Sequence, residues 1–135
     1  MNKDDPFELP LEVRGYEMDA FGHVNNAVYV QYFEHIRWKA LRQLGDDWLQ
    51  PGGLHIVVSN LEIDFKAPAE VFEELIGRLW VQELGLTSVT FHQEVVRKED
   101  DRTLAVGEVV AVCVDEDGRP HRMPDDWRET MGGGD

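Results

Sequence analysis

The chain has 135 residues, 42% of them hydrophobic, and a formal net charge of −14. That length holds one domain with a real core and excludes two, and the hydrophobic fraction excludes a wholly disordered chain. The charge opposes nucleic-acid backbones and anionic membranes, both of which need a basic footprint.

The N-terminal MNKDDPFELP lacks the apolar stretch of a signal peptide, and no run is long enough to span a bilayer, so a cytoplasmic protein is expected. Leu9, Leu11 and Val13 alternate, which predicts a first strand over residues 9–17. Asp19 to His23 form a loop containing Gly22, and Asn25 or Asn26 is placed to cap a helix. Tyr29, Phe33, Ile36, Ala40 and Leu44 then recur on one narrow helical face, with Gln31, Glu34, His35, Trp38 and Arg42 opposite and Gly45 as the stop. The rest reads as strands. Leu54, Ile56 and Val58 alternate, and Leu61, Ile63 and Phe65 alternate in the opposite phase, so a bulge is expected at Ser59-Asn60. Further strands are expected over residues 75–84, 87–98 and 103–114. Cys113 is unaccompanied in its apolar run VGEVVAVCVD, which points to a core residue and to neither a disulfide nor a zinc site. The C-terminus reads as a short polar tail ending in flexible glycines. One strand, one long helix and four strands make a single α+β domain over 1–135 with its core at about 8–128. The outward Trp38 and unprotected sheet edges favour pairing with a second copy.

The stretch YEMDAFGHVNNAVYV carries the chemistry. A helix's first turn leaves N–H groups unpaired beside a partial positive charge, which suits an oxyanion. A carboxylate next to it, Asp19, can attack a polarised carbonyl or activate water, while Gly22 permits close approach and Tyr16, His23 and Asn25 can orient the participants. The spacing alone equally allows a turn aspartate, a structural histidine and two capping asparagines.

The segments DAFGHVNNAVYVQYFEHIRW, LEIDFKAPAEVFEEL and LGLTSVTFHQEVVR resemble the hot-dog-fold acyl-CoA thioesterases of the 4-hydroxybenzoyl-CoA thioesterase superfamily. The resemblance spans residues 11–124 and implies a long central helix wrapped by a curved, antiparallel five-stranded sheet. It implies hydrolysis of an acyl- or aroyl-CoA to acid and thiol, with no metal and no cofactor beyond the coenzyme A of the substrate. By position it makes Asp19 the catalytic carboxylate and the Asn26 backbone amide the group that polarises the thioester carbonyl. It also matches His23 to a functional histidine of related acyl-carrier-protein thioesterases, and sets Tyr16 near a tyrosine that some members use. The family site lies at a dimer interface, so Ser59 and Asn60 of a neighbouring subunit are expected near it, in a homodimer or a homotetramer. Where one branch carries a basic triplet for the nucleotide phosphates, this chain reads Gly85-Leu86-Thr87, leaving Arg97, Lys98 and Lys66 as phosphate contacts or as solvated surface cations. A non-catalytic acyl-thioester or lipid-binding protein is the alternative. A hydratase is disfavoured, because His55, His92 and His121 lack its Asp/His pattern.

Overall fold

The fold, taken from a computed structural model, is described for residues 1–45 and 53–132. Its elements are β1 (Phe7–Glu12), α1 (Asn26–Leu41), β2 (His55–Phe65), β3 (Glu74–Leu84), β4 (Ser88–Arg97), β5 (Thr103–Val114) and α2 (Asp125–Gly132). The strands form one sheet in the order β1-β3-β4-β5-β2, each neighbouring pair antiparallel. This α+β arrangement is the expected hot-dog fold.

Cross-strand register builds the core in rows. Val81, Phe91, Val109 and Leu61 lie side by side across four strands, and so do Gly77, Val95, Ala105 and Phe65. The helix lies against this face through Phe33, Ile36 and Ala40, all fully buried. Gly77 is what lets it come so close: a side chain there would overlap Ile36. The expected phase slip is a bulge, since Val58 pairs with Ala111 and Asn60 with Val110, leaving Ser59 as the extra residue. The bulge turns Ile56 and Leu61 to the same side although they differ in parity. β2, the bulged strand, is an outermost strand, so its free edge can accept another strand.

Three expectations need correction: the length of the first strand, the width of the helix's buried face and the nature of the C-terminal segment. The first strand stops at Glu12 rather than running to residue 17, because Gly15–Glu17 form a single 3-10 turn that directs Glu17 inward. The buried face of α1 is wider than the narrow stripe, taking in Tyr32, Arg37 and Leu41 as well. After Leu41 the chain tightens into a 3-10 turn, Arg42–Leu44, before Gly45 ends it at φ 88°. The C-terminal segment is not a polar tail up to Gly132. It forms α2, whose Trp127 and Met131, one turn apart, are both buried. The end of the expected glycine tail, residues 133–135, lies outside the described residues.

Candidate active site

Chain geometry fixes Asp19 before any chemistry is considered. The Asp19 N–H donates to the His23 carbonyl at 2.7 Å, and the Gly22 N–H returns to the Asp19 carbonyl at 3.2 Å. Gly22 sits at φ 79°, a left-handed conformation that glycine adopts without strain. Within this tight loop Asp19 Oδ1 accepts from the N–H groups of Phe21 (2.8 Å) and His23 (3.1 Å). The turn-aspartate reading is therefore correct for one oxygen. The other, Oδ2, has no hydrogen-bond partner among the described residues, so the carboxylate is oriented but not consumed.

A second carboxylate anchors the loop. Glu17 is buried, and its Oε1 accepts from the Tyr32 hydroxyl of α1 at 2.7 Å and from the Arg14 N–H at 2.8 Å. Arg14 also closes an ion pair to its Oε2 at 3.2 Å. The Glu17 carbonyl accepts from the Asn25 N–H at 3.0 Å, tying the turn to the start of the helix. On the far side, the Val24 N–H donates to the Ala69 carbonyl, so the loop after β2 lies against the Asp19 loop.

The helix start has the predicted cap. Asn25 is the N-cap, and its side-chain oxygen accepts from the Ala27 N–H at 2.9 Å. Asn26 is the first helical residue, and its N–H has no acceptor among the described residues, as expected for a first-turn donor. Asp19, His23 and Asn26 line one cleft of about 280 Å³ with Tyr29, Phe65 and Lys66. Asp19, with one carboxylate oxygen open, and Asn26, at the positive end of a 16-residue helix, thus line the same space.

The remaining expected residues divide. Gly22 shapes the loop and Asn25 is occupied in capping. Tyr16 is 80% exposed, with the Arg14 guanidinium 5.6 Å from its ring centre, and does not line the cleft. Ser59 and Asn60 lie at the β2 bulge, with Ser59 Oγ donating to the Val110 carbonyl at 3.3 Å. Arg97 is already engaged by Glu73 (2.9 Å), Asp100 (3.0 Å) and the Pro68 carbonyl (3.0 Å). The Glu73 hydrogen bond holds the Arg97 guanidinium firmly protonated, and the contact to Pro68 braces a wall of the cleft. Lys98 pairs with Glu74 at the surface, at 3.6 Å. Lys66 lines the cleft, and its ammonium makes no ion pair among the described residues. No cluster of three or more His, Cys, Asp or Glu among the described residues is arranged to hold a metal ion.

Tyr29 both packs in the core and lines the cleft. Its ring packs 5.7 Å from that of Phe65, yet its buried hydroxyl has no hydrogen-bond partner among the described residues, and burial pushes its pKa up to about 12.

Residues 13–131 match the thioesterase-like superfamily. The chain belongs to that family. It is 29% identical over 109 residues to the long-chain acyl-CoA thioesterase FadM of Escherichia coli, covering 80% of this chain and 83% of that one. It is 30% identical over 128 residues to the chloroplastic acyl-acyl carrier protein thioesterase ATL2 of Arabidopsis thaliana, covering 93% and 68%. Among solved structures, a Thermus thermophilus thioesterase complexed with coenzyme A and zinc superposes with a TM-score of 0.83 at 30% identity, covering 93% of this chain and 91% of that one. The family match over residues 13–131 includes the Asp19 loop, α1 and strands β2 to β5.

Proposed function

We propose that this chain hydrolyses an acyl-CoA thioester in the Asp19 cleft. The observation that carries the reading is that Asp19, with an open carboxylate oxygen, and Asn26, whose N–H has no acceptor among the described residues, line one cleft. Superfamily membership and relatives named as acyl-CoA thioesterases support it. The thioester carbonyl oxygen accepts from the Asn26 N–H, which strengthens as negative charge develops there. In the general-base route Asp19 takes a proton from water and the water oxygen bonds to the carbonyl carbon. The tetrahedral intermediate then collapses, the C–S bond breaks, and the coenzyme A thiolate leaves and is protonated. In the nucleophilic route an Asp19 oxygen bonds to that carbon, expels the thiolate, and water cleaves the resulting anhydride. Both give one carboxylic acid and one thiol and need no further cofactor. His23, beside Asp19, is assigned to orienting the water, and Lys66 to the phosphates of the coenzyme.

The protein acts as a homodimer on this reading. β2 offers a free edge with Val57 and Val58 exposed, and its bulge carries Ser59 and Asn60 towards a second subunit's cleft. The assembly is expected in the cytoplasm; no described helix is long and apolar enough to cross a membrane.

An acyl-carrier-protein thioester is the second substrate reading, favoured by the relative from Arabidopsis. The net charge of −14 opposes docking of an acidic carrier. Thiol release from a panel of acyl-CoA and acyl-carrier substrates tests all of this. Asp19→Asn is expected to lose at least ~100-fold in kcat. Binding of acyl-CoA with no thiol release in the wild type would establish the non-catalytic alternative instead.

A further inference from the structure

Glu34 and Arg37 are the two charged residues lining a groove of about 460 Å³ between α1 and β2, whose other walls are apolar. Val30, Glu34 and Trp38 follow one another four residues apart, so they form a single ridge along the helix. Val30 and Trp38 are 37% and 49% exposed, and Val57 and Val58 on β2 are 44% and 46% exposed. Because β2 is an outermost strand, this apolar surface runs up to a free sheet edge.

The two charges are unequally placed. Arg37 is only 9% exposed, and its Nη1 donates to Gln93 Oε1 at 3.0 Å. The Gln93 amide donates in turn to the Phe33 carbonyl at 2.9 Å, which fixes its orientation, so the guanidinium is supported from below by a neutral oxygen. Its remaining N–H groups have no partner among the described residues, and neither Arg37 nor the exposed Glu34 makes an ion pair there. Burial lowers the Arg37 pKa, and the charge of Glu34, felt through space, offsets this only in part. A cation this buried is ordinarily paired. An anionic ligand in the groove would meet Glu34, and a cationic one Arg37. A second copy of the chain meets both with the opposite sign, because a two-fold axis makes every contact twice. An antiparallel helix that brings the partner's Glu34 to Arg37 also brings the partner's Arg37 to Glu34. With a net charge of −14 on each copy, their approach needs such local opposite charges.

We infer that α1 packs against α1 of a second copy through two reciprocal ion pairs between Glu34 and Arg37, and that these pairs set the alignment of the two β2 edges. The inference rests on the homodimer proposed above and adds what fixes its register. Strand pairing alone leaves that register open, since a slip of two residues keeps every β2 side chain on its own face. Such a slip displaces Ser59 and Asn60 by roughly 7 Å along the strand, away from the neighbouring Asp19 cleft they are assigned to reach. Buried ionic groups are best attested in this registering role.

Analytical ultracentrifugation of the intact protein over a dilution series tests it, with wild type, Glu34→Arg, Arg37→Glu and an equimolar mixture of the two variants. The wild type is expected to be a dimer. Each variant alone sets like charges against each other at both contacts, and its dissociation constant is expected to rise at least ~100-fold. In the mixture one chain brings two cations and the other two anions, so both contacts are again opposite in sign and a heterodimer of near wild-type affinity is expected. A pair confined to one chain is not repaired by mixing. Thermal melts identify a variant that fails to fold. Should Arg37→Glu be one, the Glu34→Gln and Arg37→Met cycle replaces it: each change is expected to weaken the dimer at least ~10-fold, and the double variant to be no weaker than Arg37→Met. A monomeric wild type overturns the homodimer and this inference with it. A wild-type dimer that persists unchanged in both folded variants, a mixture no tighter than its parts, or an additive cycle overturns the ion pairs and leaves the homodimer standing.

Discussion

Tyr29 and Tyr32 stand one turn apart on α1, equally buried at 2% exposure, with their rings 5.8 Å apart and edge to face. Their hydroxyls have opposite fates. Tyr32 donates to Glu17 and so joins the helix to the loop that carries Asp19. Tyr29 lines the cleft, and its hydroxyl has no hydrogen-bond partner among the described residues. The same side chain therefore serves as a tie where the loop must be held, and as an unspent donor where the cleft begins. Two carboxylates repeat the contrast two residues apart: Glu17 is turned in and saturated, and Asp19 is turned toward the cleft with one oxygen open. The division sets a satisfied, anchoring carboxylate two residues from one with an open oxygen.

The strongest way to break this division is at Glu17. Glu17→Ala leaves the Tyr32 hydroxyl and the Arg14 N–H unpaired in a buried site, which is expected to cost about 2–4 kcal/mol of unfolding free energy in denaturant titration. Tyr32→Phe removes one donor and leaves Glu17 its Arg14 contacts, and is expected to cost less, about 1–2 kcal/mol. If the pair acts as a unit, the double variant loses less than the sum of the singles. Its effect on thiol release is expected in kcat more than in KM, because the loop presenting Asp19 loosens while the cleft's walls remain. A fall in KM-derived affinity with unchanged kcat would refute the tie.

Much of this arrangement was open to reading in the sequence, and what was hidden shares a cause. Periodicity identified Tyr29, Phe33 and Ile36 as inward, and turn chemistry identified Asn25 as a cap, because both signals are local. The bulge was visible as a change of parity. Glu17, Arg37 and Gln93 were not legible as buried, since a charged or amide side chain is placed inside by a partner the sequence does not name: Gln93 meets Arg37 across 56 residues. The strand order β1-β3-β4-β5-β2 depends on such distant pairing as well. α2 escaped because two buried residues among eight, Trp127 and Met131, make a faint stripe in an otherwise polar segment. The cleft itself is half-local: the Asp19 loop and the helix start are contiguous, whereas Phe65 arrives from the end of β2 and Lys66 from the loop that follows it.

The weakest perturbation sharpens the comparison most. Tyr29→Phe deletes a hydroxyl that has no partner to lose, so its expected change in stability at neutral pH is within about 0.5 kcal/mol and can be favourable. That near-silence, beside the loss in Tyr32→Phe, is the signature of an unspent donor. Alkaline pH should make it audible. The Tyr29 pKa is raised from its ordinary 10.0 to about 12, mainly by burial, so between those values the unfolded chain releases the proton and the folded chain keeps it. The folded state then binds more protons than the unfolded one, and stability falls as pH rises through that window. Tyr29→Phe removes this contribution and is expected to flatten the alkaline decline in thermal melts, whereas at neutral pH it leaves them unmoved. Tyr32 is shifted in the same direction by burial and then by Glu17, so part of the decline survives. A Tyr29→Phe variant that is clearly destabilised at neutral pH, with an alkaline decline as steep as the wild type's, would mean that this hydroxyl is already satisfied and that the two tyrosines do the same job.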